Sequence, residues 1–129
     1  MLNLKILNPS LLSLLARVRH TNALVIADRG FPFWPQIETL DLSLTNDIPA
    51  VLQVLAALRP EFNAVRAYMA REFLKNNNAG TRATFAKALS GIPTIHEPHI
   101  EFKKRVPTAI GLIRTGDTIP YANLILESA

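Results

Sequence analysis

The sequence contains no cysteine and no run of about 18 apolar residues, the length that a membrane-spanning helix needs. The absence of cysteine excludes disulfide scaffolds, thiolate nucleophiles and cysteine-ligated zinc sites. The leucine-rich segment near the N-terminus follows Pro9 and precedes Arg17 and Arg19 without a small-residue cleavage site, which is not the pattern of a signal peptide. We therefore predict a cytoplasmic protein without a membrane partner, whose chemistry uses oxygen, imidazole or amine groups.

Common catalytic and nucleotide-binding motifs are also missing. There is no P-loop, GxGxxG, GxSxG or HExxH sequence, so nucleotide-binding, serine-hydrolase and zincin functions lack their motifs. The 14 Lys and Arg residues exceed the 10 Asp and Glu residues by four, and the one basic cluster, Lys103-Lys104-Arg105, is shorter than a nucleic-acid arm. We expect no nucleic-acid partner, and an RNA-associated basic module is an alternative hypothesis.

The 129 residues are 49% hydrophobic, which predicts one domain, residues 1–129, with a substantial core. Helical and strand patterns alternate along the chain, and this alternation predicts an α/β fold. Predicted helices run from Pro9 to about Arg19, from Pro49 to Leu58, from Ala83 to Leu89 and onward from Pro98. Predicted strands cover Ala23 to Ala27, Leu40 to Thr45, Ala109 to Ile113 and Leu124 to Leu126. The segment from Glu61 to Leu74 fits either, although its residue propensities weakly favour helix.

Two polar residues flank the first predicted strand. His20 lies between the first helix and that strand, where it could act in chemistry or simply interact with the helix dipole. Asp28 follows five apolar residues at the carboxyl end of the strand, which is where ligands gather in open α/β sheets. An aspartate that caps a loop would give the same pattern.

Further candidates lie in the C-terminal third of the chain. His99 and Lys103 are four residues apart and share one face of the predicted helix, whereas His96 lies across Pro98. His96 and His99 lack a third ligand at metal-binding spacing, so we predict no metal site. If a strand begins here, Tyr121 and Asn123 project to one face, as a polyhydroxylated ligand would require or as an exposed strand edge would also show.

Taken together, these residues resemble the D-ribose pyranase / L-fucose mutarotase family over nearly the whole chain. Each matching segment is weak alone, and their order and spacing make the similarity specific. The segments are Leu7-Asn8, His20-Thr21, Leu24 to Asp28, Gly30 with Pro32, Asp41 to Thr45 before Pro49, Gln53 to Leu55, His99 with Phe102-Lys103, Ile113 to Asp117, and Pro120 to Asn123.

The resemblance implies a mixed β-sheet with helices packed on it and an isomerase that interconverts ring or anomeric forms of a free monosaccharide without a cofactor. It implies a strand after Glu61 and a homo-oligomeric ring whose active sites lie at subunit interfaces. In the family pattern, His20 matches the catalytic acid/base, and Lys103 matches a lysine near the sugar. The sugar-contacting positions are matched by Asp28, His99, Tyr121 and Asn123.

The chain departs from the family pattern around two of these positions. Arg19 and Asn22 flank His20 where the family commonly has Gly and Asp, and Arg29 follows Asp28. These changes leave open a non-catalytic sugar-binding or transport-accessory protein. Arg29 and Trp34 could contact a sugar or pack at a subunit contact, and the latter is favoured because both residue types are common in interfaces.

The distance along the first predicted strand bears on the assembly. If Leu24 to Asp28 is extended, its four steps span ~13 Å at ~3.3 Å each, and His20 lies before the other end. Supplying the two residues from neighbouring subunits is therefore simpler than folding one loop back. Phe31, Phe33 and Trp34 would also form an apolar loop that a monomer would expose.

Overall fold

A computed structural model describes residues 1–129 and contains one six-stranded mixed sheet with helices on both faces. The strands are β1 (Ala23–Ala27), β2 (Glu38–Asp41), β3 (Ala64–Ala70), β4 (Thr94–Glu97), β5 (Gly111–Arg114) and β6 (Leu124–Ser128). The helices are α1 (Pro9–Ala16), α2 (Val51–Leu58), α3 (Arg71–Asn76), α4 (Ala79–Ala88) and α5 (His99–Arg105), followed by a 3₁₀ turn at Val106–Thr108. The predicted α/β class with a mixed sheet is confirmed.

The sheet order is β2-β5-β1-β6-β3-β4. β1 is parallel to β5 and antiparallel to β6, and β6 is antiparallel to β3 as well. The two edge strands, β2 and β4, run parallel to β5 and β3. Four residues of β1, from Leu24 to Ala27, are fully buried, which explains why this strand is apolar on both faces.

Two apolar layers hold the helices to the sheet. On one face, α1, α2, α3 and α4 pack against side chains such as Leu24, Ile26 and Leu124. On the other face, Phe102 of α5 packs against Val25 and Ala27. Alternate residues of β1 therefore enter different layers, and the carboxyl end of this strand lies between the helices of both faces.

The first helix starts where the sequence predicts and ends earlier. Asn8 caps α1, because its side-chain oxygen accepts a hydrogen bond from the Leu11 amide at 2.9 Å, and Pro9 occupies the first helical position. The helix ends at Ala16 instead of near Arg19. His20 consequently lies in a turn, not on a helix, and the helix-dipole interpretation does not apply to it.

The ambiguous segment after Glu61 forms both kinds of structure. Ala64–Ala70 is strand β3, as the family resemblance implies, and α3 begins at Arg71. The weak helical propensity of this stretch is overridden because β3 pairs with β6 on one side and β4 on the other.

Other boundaries differ from the sequence prediction. β2 ends at Asp41, whose side chain accepts a hydrogen bond from the Ser43 amide and turns the chain, so Leu44 is 80% exposed and does not face the core. The sequence does not predict β4, because a short edge strand of mixed polarity has no clear alternation. Asn78 caps α4, which begins at Ala79, four residues before the predicted helix start at Ala83.

None of the helices combines the length and the apolar character needed to cross a membrane.

Candidate active site

A cleft of about 250 Å³ opens where β1 ends and β6 is about to begin. Four of the six predicted site residues line it, and they come from segments far apart in the chain. Its lining residues are Asp28, Gly30, Phe31, Pro32, His99, Tyr121 and Asn123. The structure therefore brings a carboxylate, an imidazole, a phenol and a carboxamide to one concave surface, which is a suitable set for a ligand with several hydroxyl groups.

Asp28 and Asn123 are hydrogen-bonded to each other in the floor of the cleft. The Asp28 amide donates to Asn123 Oδ1 at 2.7 Å, and Asn123 Nδ2 donates to Asp28 Oδ2 at 3.2 Å. The Gly30 amide donates to Asp28 Oδ1 at 2.9 Å. Burial raises the pKa of Asp28, and the hydrogen bonds from Gly30 and Asn123 oppose this shift without cancelling it.

His99 is the first residue of α5, and its ring is held among aromatic side chains. It stacks on Phe102, with ring centroids 5.9 Å apart, and meets Phe31 and Tyr121 edge to face at 6.2 and 5.1 Å. Burial lowers the pKa of His99, and the positive charge of Lys103 lowers it further. The ring therefore favours its neutral form, which can donate one hydrogen bond and accept one.

Tyr121 lies in a turn, with φ at 57°, because β6 starts only at Leu124. The prediction that Tyr121 and Asn123 share one face of a strand start is therefore wrong, because neither residue lies on the strand. Both side chains nevertheless line the cleft. Asn123 is 2% exposed, so it is a floor residue and not part of an exposed strand edge.

Lys103 does not line the cleft. It lies one helical turn after His99 on α5 and is half-buried. Its charge lowers the pKa of His99, so it acts on the cleft through the electrostatic field.

His20 also does not line the cleft, and it lies before the other end of β1. It is exposed in the turn before β1, and its Nδ1 is 2.7 Å from the main-chain oxygen of Ala129 in a hydrogen bond. The length of β1 separates this turn from the cleft. One chain alone does not bring His20 and Asp28 together.

The aromatic loop after Asp28 is less exposed than the sequence predicts. Phe31 is 5% exposed and lines the cleft, and Trp34 is half-buried against the same apolar layer. Phe33 alone is largely exposed, at 69%, so the prediction that a monomer would expose all three side chains is wrong. The loop folds back because Phe31 packs edge to face on Phe102.

Two residues of the loop after β1, Arg29 and Pro32, differ in their relation to the cleft. Arg29 Nη1 donates to Asn46 Oδ1 at 2.8 Å, and Arg29 is not among the lining residues. Pro32 and Phe31 line the cleft, although the only sequence signal for them is their place after the strand aspartate in the family pattern.

No group of three or more His, Asp or Glu side chains is arranged to hold a metal ion.

Known proteins are similar to this chain over its whole length. The family model described as the RbsD / FucU transport protein family matches residues 1–129. The D-ribose pyranase of Laribacter hongkongensis is 40% identical over 123 residues, which are 95% of this chain and 93% of that protein. The D-ribose pyranase of Geobacillus kaustophilus is 38% identical over 95% of this chain and 90% of its own length.

Solved structures have the same fold. The structure of Bacillus subtilis RbsD complexed with D-ribose superposes with a TM-score of 0.92 at 34% identity, covering 100% of this chain and 98% of that one. FucU from Bifidobacterium longum, at 22% identity, has a TM-score of 0.78 over 98% and 97% of the two chains and shows the shared fold. These similarities confirm the resemblance found in the sequence, and the chain belongs to the RbsD / FucU transport protein family.

Proposed function

We propose that this chain is a cofactor-free isomerase that interconverts the ring forms of a free monosaccharide, with D-ribose as its substrate. The observation that carries the proposal is the cleft in which Asp28, His99, Tyr121 and Asn123 meet. D-ribose is favoured because several curated relatives are named D-ribose pyranase and because the neighbour with a TM-score of 0.92 is complexed with D-ribose.

The chemistry requires one acid and one base. Opening a cyclic hemiacetal places a proton on the ring oxygen and removes one from the anomeric hydroxyl, which yields an open-chain aldehyde. Reclosure through a different hydroxyl, or on the other face of the aldehyde, gives the other ring form. No metal, nucleotide or covalent intermediate is required for this proton exchange.

We assign the proton transfer to His20, since histidine is the side chain best suited to give and take protons at neutral pH. Asp28, His99, Tyr121 and Asn123 bind the sugar hydroxyls. Their donors and acceptors are complementary to a polyol: the Asp28 carboxylate accepts, whereas the other three side chains can donate and accept. Lys103 contributes positive charge beside this group.

The proposed assembly rests on the separation of His20 and Asp28. We propose a homo-oligomeric ring in the cytoplasm, in which His20 of one subunit completes the cleft of its neighbour. The exposed position of His20 supports this arrangement, because its side chain is accessible to another subunit.

Saturation-transfer NMR at the anomeric protons tests the function. With a panel of pentoses and hexoses, the protein should accelerate exchange between the pyranose and furanose forms of D-ribose most strongly. Sugar binding without faster exchange would instead identify a sugar-binding or transport-accessory protein, which the Arg19 and Asn22 departures also allow.

Mixed oligomers test the shared site. His20→Ala and Asp28→Asn protomers should each be inactive, and dissociating and reassembling them together should restore part of the exchange activity. Each variant reassembled alone is the control. If verified mixed oligomers show no recovery, each site takes both residues from one chain.

A further inference from the structure

Helix α3 is hydrogen-bonded at both ends to the walls of the cleft, although none of its residues lines the cleft. Near its start, Glu72 contacts the backbone of His99. Just after its end, Asn77 contacts the backbone of Pro120, the residue before Tyr121. The two contacts thus reach the backbone beside His99 and Tyr121, two of the three aromatic side chains that line the cleft.

Glu72 accepts the hydrogen bond that the His99 amide donates at the start of α5. Both of its carboxylate oxygens lie 3.1 Å from the His99 amide nitrogen, which donates to them. α5 has no side-chain cap of its own, because Pro98 occupies the cap position. The Glu72 carboxylate therefore replaces a cap and fixes the backbone from which the His99 ring projects.

Asn77 uses both hydrogens of its side-chain amide. Nδ2 donates to the carbonyl oxygens of Phe73 and Pro120, each at 2.9 Å. Since both partners are carbonyls, the NH₂ group, not the oxygen, must face them. One hydrogen bond ties Asn77 to α3 and the other holds the peptide plane between Pro120 and Tyr121.

That peptide plane matters because rotation about the following N–Cα bond defines φ of Tyr121. This φ is 57°, in the left-handed region that a bulky residue seldom adopts. Such a conformation persists where the surrounding structure fixes it. Asn77 supplies a fixed point immediately before Tyr121.

We propose that α3 is a positioning element for the cleft, in which Glu72 holds His99 and Asn77 holds Tyr121 so that their rings stay edge to face before sugar arrives. The two ring centroids are 5.1 Å apart with an interplanar angle of 79°. A binding group that is already in place does not lose further freedom when the ligand binds. The sugar-binding part of this inference rests on the proposed function.

The variants that test it remove each contact in turn. Asn77→Ala removes the donor to Pro120, and Asn77→Asp places an acceptor against two carbonyls. Glu72→Ala removes the cap of α5, whereas Glu72→Gln retains one acceptor oxygen. Asn76→Ala is the matched control, because Asn76 is the neighbouring asparagine and donates only to the Glu72 carbonyl within the helix. Glu101→Ala is the control for Glu72, since Glu101 is exposed and pairs with Lys104.

The first readout needs no sugar. The His99 ring protons lie beside the face or edge of the Tyr121 ring, so their NMR chemical shifts report the ring arrangement, and they are assigned by their loss in His99→Gln. We expect these shifts to move in Asn77→Ala, Asn77→Asp and Glu72→Ala, and to stay in place in Glu72→Gln and both controls. Unmoved shifts in folded Asn77→Ala and Glu72→Ala would overturn the proposal.

The second readout uses D-ribose. We expect Kd and KM to rise about tenfold or more in Asn77→Ala and Glu72→Ala, with a smaller change in kcat and with recovery in Glu72→Gln. Equal rises in the controls would overturn the positioning role. If the wild-type protein neither binds nor interconverts ribose, the proposed function fails, while the chemical shifts still decide whether α3 orients His99 and Tyr121.

Discussion

Asn123 and Asp28 exchange hydrogen bonds in both directions across the end of β1. The backbone amide of Asp28 donates to the Asn123 side chain, and the Asn123 side chain donates to the Asp28 carboxylate. The Asn123 carboxamide thereby fixes the positions of both the backbone amide and the carboxylate of Asp28. A single asparagine thus supports the local structure and the cleft at once.

We predict that Asn123→Ala lowers the free energy of unfolding by about 1–3 kcal/mol, because it leaves the Asp28 amide without its acceptor. The same change should weaken D-ribose binding, since Asp28 loses its orientation. Urea unfolding and titration calorimetry measure the two effects. Asn46→Ala is the control, because Asn46 is exposed and its side chain accepts from Arg29. Equal stability of the two variants would contradict the prediction.

Tyr121→Phe removes a hydroxyl while keeping the ring beside His99. We expect it to weaken ribose binding by about 1–3 kcal/mol without changing the assembly, because a sugar group loses its partner. Tyr68→Phe is a matched control, since the Tyr68 hydroxyl bonds Glu127 outside the cleft. Calorimetry that gives both variants the wild-type affinity would exclude this role for Tyr121.

The lowered pKa of His99 predicts how stability depends on pH. Between the ordinary value of 6.5 and the lower folded-state pKa, the unfolded chain binds a proton that the folded chain does not. The contribution of His99 to stability is therefore full above pH 6.5 and is lost as the pH falls through the folded-state pKa. We expect the wild-type protein to lose stability relative to His99→Gln over this acidic range. A difference that stays constant with pH, measured by urea unfolding, would argue against a lowered pKa.

His20→Ala should reduce ring-form exchange by about 10²-fold or more, which corresponds to ~3 kcal/mol of barrier. The fold should remain, because His20 is exposed and its side chain makes one hydrogen bond, to Ala129. Arg19→Ala, next to it in the same turn, is the control and should retain most of the activity. An active, well-folded His20→Ala would remove His20 from the mechanism.

The sequence predicts the elements whose signals are local. The cap at Asn8 and the apolar run of β1 need no distant partner to be recognised, and both are confirmed. Strand β3 and edge strand β4 exist because they pair with other strands, which propensity does not report.

The same contrast between local signals and long-range contacts applies to the candidate site. The position of Asp28 after β1 is a local signal, and family similarity points to His99, Tyr121 and Asn123. The other lining residues, Gly30, Phe31 and Pro32, are not among the predicted site residues. The pairing of Asp28 with Asn123 joins residues 95 positions apart, and the left-handed turn at Tyr121 depends on how the chain enters β6. Neither relationship has a periodic pattern that could reveal it. The binding and catalytic roles themselves stay predictions.

The position of β6 has a consequence for folding. β6 is the only strand that joins the β2-β5-β1 half of the sheet to the β3-β4 half. A chain in which Leu124–Ser128 has not yet paired therefore holds two partial sheets with open edges, and both β1 and β3 await the same strand. Such distant pairings favour slow folding. The unpaired edges of β1 and β3 are, for that interval, where aggregation would begin and where a chaperone would be most useful.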